Sequence, residues 1–147
     1  MICAFTIALL LTNVTAHAQD WPQFRGPEGL GVADDSESIP TEWSPNANLV
    51  WKTELPGPGA SSPIIVGGKA FVTCYSGYGL NQRDPGDMEN LMRHLVCIDT
   101  TSGKILWQKD VKAALPEDPY TGAGIPSHGY ASHTPVSDGQ NLSLIHI

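Results

Sequence analysis

Hydrophobic and polar positions alternate most cleanly in Ala70-Phe71-Val72-Thr73-Cys74 and in His94-Leu95-Val96-Cys97-Ile98. A period of two sends successive side chains to opposite faces of a strand. From Asn48 onward, short runs of Val, Ile, Phe and Leu are separated by Gly, Pro and Asp. This texture predicts strands near 48–54, 61–66, 69–75, 94–99, 104–110, 130–136 and 141–146, with the alternation failing past Leu144. Val66-Gly67-Gly68-Lys69 offers two residues that accept positive φ, which a tight primed turn requires. Asp99 to Lys104 predicts a second turn, in which Asp99 accepts backbone N–H groups and Gly103 takes the left-handed conformation. Between these hairpins Ser76 to Arg93 forms an insertion too long for a simple turn. Within it Asp87 predicts the cap of a short helix with Met88, Leu91, Met92 and Leu95 along one face. Residues 19–47 carry neither period. They read as an extended segment pinned by Trp21 and Phe24, then a loop rich in Gly, Asp and Ser.

The first eighteen residues hold no Lys, Arg, Asp or Glu and run apolar from Ile2 to Leu11, ending in Ala16-His17-Ala18. This predicts a secretory signal peptide over 1–18 cut before Gln19, although the usual basic residue ahead of the apolar run is missing. The run falls short of the roughly 20 residues that span a bilayer. No second apolar run follows, so the expectation is a periplasmic or secreted chain with no transmembrane segment, associated at most with the cell envelope. Hydrophobic residues at 41% and charged residues at 16% argue for a packed core, and 15 Gly with 12 Pro favour turns over long helices. With 8 basic against 15 acidic residues the net charge is −7, which excludes a nucleic-acid backbone as partner. Cys74 and Cys97 each fall in a predicted strand. Export permits a disulfide between them, but two buried free thiols is the simpler reading.

A repeat is visible when Ser62 to Ala70 is aligned with Thr134 to Leu142: a hydroxyl residue, Pro, a β-branched residue, a turn with Gly, and a second strand. Cys97-Ile98-Asp99-Thr100-Thr101-Ser102-Gly103-Lys104-Ile105-Leu106-Trp107 resembles the PQQ-type propeller repeat, Ala-x-Asp-x-x-Thr-Gly-x-x-x-Trp, with Cys97 and Ser102 as small replacements. The opening WPQFRGP and the segments ELPGPGASSPI, LPEDPY and HGYASHTPV look like those of secreted PQQ-like propeller proteins. The resemblance implies an all-β fragment of a PQQ-like β-propeller built from four-stranded antiparallel blades. Residues 48–147 would supply a closing strand, one blade and the start of the next. It implies structural roles for Asp99 and Gly103 in the repeat turn, for Trp107 between blades, and for Trp51 in the seam of the ring. Two functions follow from it. One is a non-catalytic scaffold for protein partners, similar to the propeller subunit of the outer-membrane β-barrel assembly machine. The other is a quinoprotein dehydrogenase using PQQ and calcium held in further blades, since this chain has no adjacent Cys pair.

The densest polar cluster is Ser127-His128-Gly129-Tyr130-Ala131-Ser132-His133. His128, Tyr130 and His133 are candidate ligand-binding residues. In a strand, an odd separation puts the two imidazoles on opposite faces, so joint action needs a turn between them. Asp84, Asp87 and Glu89 lack the ligand order of a calcium loop. No Gly-x-Ser-x-Gly elbow, Walker loop or Cys-x-x-Cys occurs. No residue is assigned to catalysis, cofactor binding or metal ligation.

Overall fold

The computed structural model describes residues 19–33 and 40–144. The signal peptide expected over 1–18 and the last residues of the strand expected at 141–146 lie outside the described residues.

The core is an antiparallel sheet in the order β1 (Ile64–Val66), β2 (Lys69–Ser76), β3 (Met92–Asp99), β4 (Ile105–Lys112). The β1–β2 turn forms on Gly67 and Gly68, with φ of 56° and 73°. At the β3–β4 turn, Asp99 Oδ1 accepts from the Ser102 N–H and hydroxyl, both at 2.7 Å, while Gly103 takes φ 71°. Thr100 joins the two turns, donating its N–H and hydroxyl to Gly68 O at 3.1 and 2.9 Å.

Register divides the sheet into two unlike faces. Ala70, Val72, Cys74 and Ser76 of β2 stand opposite Ile98, Val96, His94 and Met92 of β3, and all eight share one face. Ala70, Cys74, Val96 and Ile98 form a buried aliphatic cluster there, covered by Trp51 and Leu55. Tyr75 belongs to the other face, where it packs with Tyr78, Leu91, Tyr130 and Ala131. Tyr75 meets Tyr130 edge to face at 5.5 Å between centroids, a favoured aromatic geometry. Cys74 and Cys97 therefore lie on opposite faces, and both are buried free thiols.

The insertion closes on itself. Asp87 Oδ1 accepts from Glu89 N–H at 2.9 Å and caps one 3-10 turn, Met88–Asn90. The longer helical face expected through Leu95 does not form, because Leu91 is already extended and β3 begins at Met92. Leu91 is instead fully buried under the tyrosines.

Three corrections to the expected architecture follow. Residues 48–54 are not an outer strand. Asn48 at φ 60° interrupts the extended run, and the segment is held by side chains: Trp51 Nε1 donates to Thr100 O at 2.7 Å and Thr53 Oγ1 to Gly103 O at 2.5 Å. Trp51 thus packs on the repeat turn, not in the seam of a ring. Residues 130–136 do not form a long strand either: a one-turn helix, α1 (Ile125–His128), precedes them, and only Val136–Ser137 (β5) pairs, with Leu142–Ser143 (β6). Trp107 leans its ring on Phe71 of its own sheet at 5.8 Å and 48°. The two sheets, of four and two strands, are open and separate, so the described chain does not build the closed propeller that the repeat implied.

Candidate functional site

The segment after α1 runs over the tyrosine face without entering the sheet. Arg93 Nε donates to Tyr130 O at 2.9 Å, Ala60 N–H to Ala131 O at 3.0 Å and Thr73 Oγ1 to His133 O at 3.1 Å. Ser62 N–H donates to Thr134 Oγ1 at 3.0 Å, so the two Ser/Thr-Pro copies are in contact. From the other side, the N-terminal segment bridges β1 and β5. Trp21 exchanges two backbone bonds with Ile65 at 2.7 and 2.9 Å, and Ser137 N–H donates to Pro22 O at 2.8 Å. These bonds place Phe24 across from residues 132–134.

A cleft of about 550 Å³ opens between these segments. It is lined by the polar residues His128, His133, Ser62, Ser132, Thr134 and Ser143 and by the apolar residues Phe24, Ala60 and Val136. His128 ends α1, and Gly129 follows at φ 66°, a reversal after which both His128 and His133 line one cleft. Gly129 is also required by space: a Cβ there would lie 2.3 Å from the Tyr75 ring.

A second cavity, of about 190 Å³, shares His128, Ser132 and His133 with the first and is otherwise lined by Arg93, Glu117 and Asp118 together with Ile125, Gly129 and Tyr130. Two of those charges pair with each other, Arg93 Nη1 with Glu117 Oε1 at 2.7 Å. Tyr130 lines this cavity and not the larger one. Its hydroxyl donates to Asp118 O at 2.7 Å, and burial pushes its pKa upward. Of the three candidates, His128 and His133 therefore share the main cleft while Tyr130 forms its support.

A different polar group sits on the aliphatic face. Ser76 Oγ lies 2.8 Å from His94 Nε2, and His94 Nδ1 lies 2.7 Å from Asp110 Oδ1. His94 is directly opposite both Cys74 and Asp110 in the ladders. Gln108 Nε2 donates to Asp110 Oδ1 at 2.6 Å. The hydrogen bonds from His94 and Gln108 hold the Asp110 carboxyl below its ordinary value. Local sequence did not single out this group, because its members sit on three strands and meet only through register. The one sequence signal was the placing of strands near 69–75 and 94–99 on either side of the insertion.

No protein-family model, curated protein or solved structure matches the chain. With the open sheets, this removes the support for a PQQ-type propeller module, whether scaffold for protein partners or dehydrogenase. The residues present do not fit PQQ with calcium either. Among the described residues, no carboxylate lines the main cleft and no group of three or more His, Cys, Asp or Glu side chains is placed to hold a metal ion. No helix among the described residues is long and apolar enough to cross a membrane.

Proposed function

We propose that the chain binds a small, uncharged, hydroxyl-rich molecule of mono- or disaccharide type in the cleft of His128 and His133. The observation that carries this reading is the lining: two histidines, four Ser or Thr residues and three apolar residues around about 550 Å³, with no Lys, Arg, Asp or Glu among the described residues that line it. That volume lies in the range of ligand sites, where a few polar groups orient a ligand against an apolar wall. Imidazole and hydroxyl groups both donate and accept, which matches sugar hydroxyls. Phe24 offers a flat apolar surface to the C–H face of a ring. A charged ligand would lose its hydration without gaining an ionic partner, and the net charge of −7 further disfavours anions.

The test is an isothermal and NMR titration with neutral methyl glycosides and disaccharides, using glucuronate and glucosamine as charged comparators. Saturable binding of a neutral sugar is expected, with Phe24→Ala and His133→Ala each weakening it about tenfold, or ~1.4 kcal/mol. The backbone of His133 keeps its bond from Thr73 in the variant, so truncation removes only the imidazole. Absence of saturable binding across the neutral panel, or tighter binding of the acidic comparator, would overturn the reading.

A further inference from the structure

We infer that Ser76, His94 and Asp110 form a nucleophilic relay, and that Ser76 is an acyl acceptor for small carboxylic esters reaching it from solvent. The group is independent of the cleft, since it occupies the opposite face of the four-stranded sheet.

The geometry sets the roles. His94 is 7% exposed and placed between two oxygens, with Nδ1 2.7 Å from the Asp110 carboxylate and Nε2 2.8 Å from the Ser76 hydroxyl. A carboxylate only accepts, so the neutral ring carries its proton on Nδ1 and leaves the Nε2 lone pair facing Ser76 Oγ. That tautomer is the one a general base needs. Gln108 steadies the same Asp110 oxygen at 2.6 Å. Strand pairing fixes all three positions: His94 is opposite Asp110 across β3–β4, and Ser76 ends β2 diagonal to His94. Access comes from the end of the sheet, where Ser76 is partly exposed and the Asp110 side chain is 46% exposed. Neither described cavity borders Ser76. The substrate class is small esters, which reach the partly exposed Ser76 hydroxyl from solvent.

The chemistry balances with water as co-reactant. Ser76 Oγ attacks the ester carbonyl as its proton passes to His94 Nε2. The tetrahedral adduct collapses, the C–O bond to the alcohol breaks, and the leaving oxygen takes that proton. Water then attacks the acyl-Ser76 ester with His94 as base, releasing the carboxylic acid and restoring the hydroxyl. Asp110 stays ionised throughout and acts as a positioning residue.

The experiment incubates the full chain with a fluorophosphonate probe and with p-nitrophenyl acetate, following intact mass, peptide mapping and p-nitrophenolate release between pH 5 and 9. One adduct on Ser76 is expected, with a rate that rises with pH. Ser76→Ala abolishes the adduct, and His94→Gln lowers its rate roughly 100-fold. Because His94 is buried and its replacement can unfold the sheet, each variant is compared by far-UV circular dichroism, and Asp110→Asn at the exposed end serves as second probe. It lowers the rate at least about tenfold by releasing the Nδ1 tautomer. A folded wild-type chain left unlabelled at Ser76 would overturn the inference. So would labelling that ignores pH and is unchanged in a folded Asp110→Asn chain.

Discussion

The two faces of the four-stranded sheet solve the same packing problem with different materials. One face buries Ala70, Cys74, Val96 and Ile98 under Trp51 and Leu55, and keeps its polar groups in a line at one edge. The other buries Tyr75, Tyr78 and Tyr130, each hydroxyl bonded to backbone, and carries its polar side chains on the loop laid over it. Strands hold three side chains in fixed register, which suits proton transfer; a loop anchored by scattered backbone bonds leaves a hollow, which suits a ligand.

The contrast breaks most readily at Tyr130. Replacing it with Ala removes a buried ring and its bond to Asp118 O, and is expected to destabilise the fold by about 3–5 kcal/mol, read by urea unfolding. His94 should keep its low-field Nδ1 proton in the fraction that remains folded, since the aliphatic face does not contact that ring.

Next in size is Gly103→Ala. Gly103 sits at φ 71° and a Cβ would lie 2.7 Å from the Trp51 ring, so strain and overlap add to about 1–3 kcal/mol. The loss should appear as a lower thermal midpoint with Trp51 fluorescence shifted to the red, while binding at the cleft persists. Tyr130→Phe sharpens the comparison further. It keeps the ring and deletes one hydrogen bond, and is expected to cost about 1 kcal/mol.

Much of the first face was readable from residues alone. Ala70 to Cys74 and His94 to Ile98 show the strand period of two, and Gly67-Gly68 and Asp99 to Gly103 carry the turn chemistry that their dihedrals require. The rest depended on long-range partners. Val50 and Trp51 are as β-prone as any strand, yet the segment follows the carbonyls of Thr100 and Gly103, about fifty residues away, which no local period encodes. His128 and His133 were visible as a polar cluster, but their shared wall needed the Gly129 reversal and the Tyr75 ring it packs against. Ser76, His94 and Asp110 stayed hidden because the insertion from Ser76 to Arg93 masks which residues of β2 and β3 face each other. The propeller expectation extended a local turn-and-Trp pattern to a closed ring, whereas that pattern sets only one hairpin.

The pH dependence is the smallest effect and separates turns from faces. Bonds from Asn141 hold Asp138 at about 2, and bonds from Ser102 lower Asp99. Both contribute stability that is fully present above the ordinary carboxylate value and is lost as pH falls through each lowered one, which for Asp138 is about 2. Asp138→Asn should flatten part of the acid limb of a thermal-midpoint profile. At the other extreme, burial raises Tyr75 to about 12. The tyrosine face should therefore lose stability from about pH 10 upward, with delayed phenolate absorbance at 295 nm as its sign.

One titration reads both faces at once: the imidazole 15N and 1H signals of His94, His128 and His133, followed as a neutral disaccharide is added. Saturable shifts at His128 and His133, with His94 unmoved and its Nδ1 proton still at low field, are the result expected of two separate sites. Equal movement of all three rings, or no saturable movement at the two cleft histidines, would contradict it.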